Sequence, residues 1–328
     1  MSGLSEQPED LDRRDPEGEI GRRAEAFRNW NRWGEGDRLG TLNFIEEEHR
    51  VRAARLVSTG RTISLAQPFD TDGPQKGWRR RVNPVHTMTD TGADAERGTQ
   101  GFPHGMGGAD DYITMPLQCS TQWDGLGHIF DHGRAWNGRP AGEVVTSDGD
   151  LVTGIEHAAA TIAGRGVLLD LGAHLRDGEL EDGYAISAAD LDACAQAQGV
   201  EIGRGDIVMV RTGRYSRARR EGWGDYAGGA SPGLSLTTAG WLHRREIAAI
   251  ATDTWGFEVR PNEFDVPSFQ PLHQVAIPNI GLTIGEMWDL DELAAACAEL
   301  NRWEFLLIAA PLPITGAVGS PINPLAIL

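Results

Sequence analysis

The sequence contains no apolar run long enough to span a membrane. Residues 1–23 are polar and heavily charged, with no apolar signal-peptide core, so a cytoplasmic location is expected. Its three cysteines, Cys119, Cys194 and Cys297, are odd in number and scattered. That excludes a zinc-type cysteine pair and argues against a disulfide framework. Positive charge is in deficit: 48 acidic residues face 30 basic ones, a formal net charge of −18. A basic face for nucleic acid is therefore not expected, and neither is a membrane partner. The Gly105-Met106-Gly107-Gly108 stretch lacks the strand–loop–helix context and the lysine of a phosphate cradle. Internal repeats and composition breaks are also missing.

What remains is a chain of 328 residues, 40% hydrophobic and with 42 glycines, which suits a loop-rich α/β enzyme better than a helical bundle. Residues 1–20 read as a disordered polar tail and 21–328 as one catalytic domain. Short helices are expected over 24–33 and over 46–57, the latter stopped by Gly60. A strand begins at 62. Residues 70–110, rich in Gly, Asp, Arg and Pro, read as a long loop covering a site. Apolar runs bounded by turn residues at 166–171 and 206–211 read as buried strands. Between them lies a helix over 187–198, capped by Ser187. A helix over 237–245 leads into a strand at 247–252, and a helix over 291–300 into a strand at 305–309. This alternation of helix and strand defines an α/β class.

The most informative run is Gln118-Cys119-Ser120-Thr121-Gln122-Trp123-Asp124-Gly125-Leu126-Gly127-His128. Gln118, Ser120, Gln122 and Asp124 recur with a period of two, so an extended segment points all four to one face. Asp124 and His128 lie four apart and converge if the chain then turns. Polar groups aimed together into an apolar neighbourhood are costly unless they bind something or each other. Cys119 flanks this face and should point away from it.

The run resembles the His-x-Gly-Thr-His-x-Asp-x-Pro-x-His motif of the cyclase family, which includes bacterial kynurenine formamidases and isatin hydrolases. Thr121, Asp124 and His128 match. Gln118 and Gln122 stand at the first two histidine positions, Ser120 replaces Gly and Leu126 replaces Pro. With Trp136-Asn137-Gly138, the wording resembles a longer subgroup that carries the glutamines. A later block, Pro271-Leu272-His273 followed by Ile284-Gly285-Glu286-Met287-Trp288, supplies the late His and Glu of the family pattern. Further agreement comes from 164–171, 206–213, 252–254 and 310–321, so the resemblance spans roughly residues 30 to 328. It implies a swivelling β/β/α fold, a barrel-like central sheet flanked by helices, and a homo-oligomer, dimer or tetramer.

By the same resemblance, Asp124, His273 and Glu286, with Gln118 and Gln122, are candidate ligands of a divalent metal, manganese or zinc. His128 and Glu286 are the candidate catalytic groups, because neutral imidazole shuttles protons near pH 7. An amide oxygen is a weaker zinc ligand than imidazole. The glutamines therefore leave three readings open: they ligate an oxygen-tolerant ion such as manganese, they stand aside from it, or the site is metal-free and they donate to a substrate carbonyl. His86, His104 and His132 are loop histidines and the most plausible replacement ligands. Trp78, Trp123 and His104 are candidate substrate-wall residues, while Trp136, Trp255 and Trp288 belong to the same blocks and read mainly as core. Asp253 reads as structural, bonding backbone or orienting His273.

Three functions follow. One is a hydrolase of a non-peptide C–N bond, in a cyclic amide or N-acyl amine, using metal-activated water. Another is a metal-independent lyase or cyclase using His128. The third is a non-catalytic small-molecule binding protein.

Overall fold

The structure is a computed structural model that describes residues 11–328. The first ten residues of the expected polar tail lie outside the described residues. The segment read as a tail is not all tail, because α1 runs over Pro16–Ala26 and begins inside it. Asp15 caps this helix by accepting from Gly18 N, and Ile20 and Ala24 are buried. Composition hid it, since its charged residues are folded in: Glu19 and Arg23 are buried and pair with each other. The helix expected over 24–33 is thereby displaced toward the N-terminus.

One nine-stranded sheet organises the molecule. Its strands are β1 (Thr62–Ser64), β2 (Gln122–Asp124), β3 (Ala163–Asp170), β4 (Ile207–Arg211), β5 (Ala249–Thr252), β6 (Thr283–Glu286), β7 (Glu304–Ile308), β8 (Gly319–Pro321) and β9 (Leu325–Ile327). Their spatial order is β1-β9-β7-β3-β4-β5-β6-β2-β8. The centre, β3-β4-β5-β6, is parallel, and the flanking pairs are antiparallel. The sheet curls as a half-barrel flanked by helices, a mixed α/β fold.

The parallel strands are continuous apolar runs because both faces are covered. Val167, Leu169, Val208, Val210, Ile250 and Ile284 face one core. Leu168, Ile207, Met209, Ala249 and Ala251 face the other. The first core is closed by α2 (Ala188–Gln198), through Leu191 and Cys194, and by α3 (Ala239–Arg244), through Leu242. Ser187 caps α2 with a reciprocal Asp190 bond, and Gly199 ends it at φ 65°. The helix α4 (Pro271–Val275) packs against α1 on this same face, with Leu272 and Val275 in the core. The second core is closed by α5 (Asp291–Leu300), through Leu293 and Cys297.

Only the first part of the 70–110 segment runs beside the site, where Gln75 donates to Cys119 O and Trp78 packs on Trp255. Beyond Pro84 it forms a two-stranded arm, Val85–Asp90 paired with Asp110–Thr114, whose strands pair only with each other and are largely exposed. Exposed on both faces, these strands carry no alternating apolar period, which concealed them in a Gly-rich stretch. Among the described residues, no helix is long and apolar enough to cross a membrane.

A buried Asp–His–Glu cluster as candidate active site

The short strand β2 places Gln122 and Asp124 on one face and Trp123 on the other. Trp123 is fully buried in the second core, edge-on to Trp288 at 4.9 Å, with its indole N–H on Ala309 O at 2.8 Å. It is therefore a packing residue and not a wall of the site. Neighbouring β6 runs antiparallel, with Glu286 opposite Gln122 and Ile284 opposite Asp124. Gly285 permits this approach, since a Cβ there would lie 2.7 Å from Trp123, Trp288 and Ala251 atoms.

The result is a buried cluster. Asp124, His273 and Glu286 each offer one ligand atom, and those atoms lie within 4.8 Å of one another. All three residues are at most 2% exposed. His273 Nε2 lies 3.1 Å from Glu286 Oε1, and Gln122 Nε2 donates to Glu286 Oε2 at 3.0 Å and to Asp124 Oδ1 at 3.2 Å. After Asp124 the chain turns tightly, with His128 N on Gly125 O at 3.1 Å, and brings His128 Nε2 to 3.8 Å from Asp124 Oδ1. The anticipated convergence of these two residues is thus seen.

Glu258 was not anticipated. It is 2% exposed and accepts from Leu272 N and His273 N at 2.9 Å each, and it faces His273 Nδ1 at 2.6 Å. One carboxylate thus closes the first turn of α4 and fixes the imidazole with Nε2 toward the cluster. This is the outer-shell arrangement that orients metal-ligating histidines. A lone acid in the apolar run Trp255 to Val259 was the available signal, because such a group must be partnered when buried. Asp253 does not orient His273. It accepts from Thr212 N, Thr212 Oγ1 and Gly213 N, a backbone-bonding role.

Burial and the nearby Glu286 carboxylate push Asp124 up to about 8. Burial opposes charge on His273, but its bonds to Glu258 and Glu286 prevail and raise it to about 10. Burial, with the Arg81 charge, pushes His128 down to about 3, which keeps it neutral at pH 7. Burial raises Cys119 to about 11, so its thiol stays protonated.

The remaining expected residues divide. Gln118 is half-buried beside Gly319, its buried Nε2 without a partner among the described residues. Trp78 is 42% exposed and edge-on to Trp255 at 5.5 Å. His104 is exposed in the arm and His86 pairs there with Asp111, so the arm carries both away from the cluster. His132, with its side chain 63% exposed, pairs with Asp131. None of the three histidines replaces the missing imidazoles. Trp136 and Trp288 are core residues.

The donor set fits a divalent cation. Two carboxylates balance its charge, and one imidazole is already oriented. Gln122 Oε1 is buried without a partner among the described residues. Rotating that amide by half a turn exchanges its two ends and directs the oxygen at Asp124 and Glu286.

The Cyclase family model matches residues 63–259. The chain belongs to the cyclase family. It is 31% identical to an isatin hydrolase of Roseibium aggregatum over 143 residues, 43% of this chain and 51% of that protein. The match thus spans about half the length of that curated relative. Among solved structures, one described as a novel cyclase superposes with a TM-score of 0.83 at 39% identity, covering 93% of this chain and 99% of that one. A protein described as a predicted metal-dependent hydrolase from Bacillus stearothermophilus shares the fold, with a TM-score of 0.52 at 17% identity over 81% of this chain and 97% of that one.

Proposed function

We propose that the protein hydrolyses a non-peptide C–N bond, in a cyclic amide or an N-acyl amine, at the Asp124–His273–Glu286 cluster. The observation that carries this reading is the convergence of those three ligand atoms within 4.8 Å, with Glu258 fixing His273 from behind. Asp124, His273 and Glu286 would hold a divalent ion, manganese or zinc, with Gln122 Oε1 as a further oxygen donor. When bound, such an ion polarises the carbonyl and lowers the pKa of water. His128, neutral and beside Asp124, takes the proton from the attacking water and returns it to the leaving nitrogen. Glu286 orients the water, and the bond from Phe257 N at 3.2 Å steadies its carboxylate. Gln118 Nε2, which has no hydrogen-bond partner among the described residues, would donate to substrate.

The hydrogen bonds from Gln122 Nε2 to both carboxylates favour a second reading, because they satisfy the acids without a cation. On that reading the enzyme is a metal-independent lyase or cyclase, with His128 as acid and base. A panel of lactams, cyclic imides and N-formyl amines, assayed with and without prior chelation, separates the two. Turnover abolished by chelation and restored by manganese or zinc supports hydrolysis. Full turnover after exhaustive chelation supports the second reading. Turnover in neither state, with ligand affinity intact in His128→Ala, returns the protein to a binding role.

The partner chemistry is a small molecule in a cytoplasmic enzyme, and the assembly is a homo-oligomer built on the arm. Val85, Met88, Phe102, Met106, Tyr112 and Ile113 are 44% to 67% exposed there. Together they offer on the order of 500 Å², much of the roughly 800 Å² each partner gives a stable interface. An isolated two-stranded hairpin is marginal in water, so a second copy is its natural cover. Light scattering on size-exclusion peaks would show a dimer or tetramer. A monomer at micromolar concentration would contradict it.

A further inference from the structure

We propose that Arg81, framed by Trp78 and Trp255, seats a carboxylate carried by a flat, aromatic substrate. The proposal deepens the hydrolytic reading of the neighbouring cluster and rests on it for the word substrate.

The groups lining the cluster itself include three acids, Asp124, Glu258 and Glu286, so an anionic substrate needs a cation outside them. Arg81 occupies that place. Its guanidinium lies 5.4 Å from the Trp78 ring centre and 6.0 Å from that of Trp255. It is half-buried, yet its side chain has no carboxylate and no hydrogen-bond partner among the described residues. The contrast within the same chain is informative. Arg165 is bonded to Asp206 and Glu304, Arg211 to Asp170 and Asp291, and Arg214 to Asp182 and Asp225. A guanidinium laid on aromatic rings keeps its in-plane N–H fork free, the geometry that receives a carboxylate in bidentate fashion.

The surroundings supply the flat wall. Trp78 meets Trp255 at 5.5 Å and Phe269 at 5.7 Å, and Trp78 and Phe269 are 42% and 50% exposed. Arg260 also lies over Trp255 and Phe269, but its Nε and Nη2 already donate to Gly229 O and Gly228 O. Arg79 also lies 5.4 Å from the Trp78 ring centre, but it is exposed; Arg81 is half-buried and reaches Trp255 as well, which makes it the free fork held inside this aromatic cluster. The cluster is continuous with the chemistry: Trp255 begins the run in which Phe257 N binds Glu286 and Glu258 binds His273. Gln75 ties the two together, accepting from Trp255 Nε1 at 3.4 Å and donating to Cys119 O at 2.8 Å. The Arg81 charge is felt by both His128 and Asp124. Arg79 and Arg80, at φ 48° and 66°, hold this turn in the left-handed region that non-glycine residues rarely adopt, as is common in ligand clamps.

Phenylacetate and neutral 2-phenylethanol are the probes, titrated against the full-length protein by calorimetry or saturation-transfer NMR, both as purified and after EDTA. Phenylacetate should bind about tenfold or more tightly, the ratio a charge-assisted pair provides. Arg81→Gln should erase that preference while leaving 2-phenylethanol binding within about twofold, and Arg81→Lys should restore part of it. A merely structural role would weaken both probes together and would overturn the proposal. So would equal affinities in the unmodified protein, or a preference that survives Arg81→Gln. A preference lost with EDTA but kept in Arg81→Gln would place the anion on a metal in the Asp124 cluster and refute the assignment. Failure of the hydrolytic reading shows separately, as absent turnover, which these titrations do not read.

Discussion

Stripped of metal, the protein should lose stability as the pH rises from about 6.5 toward 10. His273 is raised from 6.5 to about 10 in the folded chain, where bonds to Glu258 and Glu286 outweigh burial. The folded state therefore keeps a proton that the unfolded chain releases. That contribution is fully present below 6.5 and is lost as pH climbs through about 10. Asp124, raised from 3.8 to about 8 by burial and Glu286, has the same sign in a lower window, from about 4 to 8. His128, lowered from 6.5 to about 3, acts on the acid side, where its contribution is lost as pH falls, and leaves the upper window clear. One proton held by the folded chain alone is worth about 1.4 kcal/mol per pH unit. Between pH 8 and 9, His273 by itself should thus cost about that amount. The assay is urea unfolding of EDTA-treated protein at pH 6, 7, 8 and 9, repeated with excess manganese or zinc. A bound cation replaces both protons, so its stabilising effect should grow with pH. Stability that is flat or rising between pH 7 and 9 without metal, or a metal effect independent of pH, would refute this reasoning.

Other perturbations probe single contacts. Glu258→Gln keeps the shape but loses the charge behind His273, and should lower metal affinity or turnover by about 10- to 100-fold, read by chelator competition. His128→Gln should lower turnover by about 10²- to 10⁴-fold while leaving the thermal midpoint near that of the unmodified protein, since His128 sits at the cluster's edge. Gly285→Ala forces a Cβ to 2.7 Å from Trp123, Trp288 and Ala251 atoms and should cost about 1–3 kcal/mol in urea unfolding.

The legible parts of the sequence were those in which local and global signals agree. The Ser187 cap with Asp190 and the Leu191 and Cys194 face mark one helix, and the turn-bounded apolar run at 206–211 fits the buried strand Ile207–Arg211 that forms there. The period of Gln118, Ser120, Gln122 and Asp124 predicted one extended polar face; the strand covers only Gln122–Asp124, residues 117–121 are turn and bend, and Trp123 belongs to the core face. The segments that misled are those where tertiary partners override composition. Pro16–Ala26 is charged like a tail, but Glu19 and Arg23 neutralise each other beneath it. The arm reads as loop because its strands are exposed on both faces, so no apolar period marks them. The convergence of Asp124 and His128 was readable from their spacing, whereas His273 and Glu286 were singled out by the resemblance to the family motif. Glu258 was not, because its partner lies 15 residues away on a helix whose start it closes.

The central claim is that Asp124, His273 and Glu286 hold a divalent ion even with glutamine at positions 118 and 122. Elemental analysis of protein purified without added metal or a metal-affinity tag tests it directly, alongside Asp124→Ala and His273→Ala. About one manganese or zinc per chain, lost in both variants, is the predicted result. No metal in the unmodified protein, even after soaking with both ions, would contradict it.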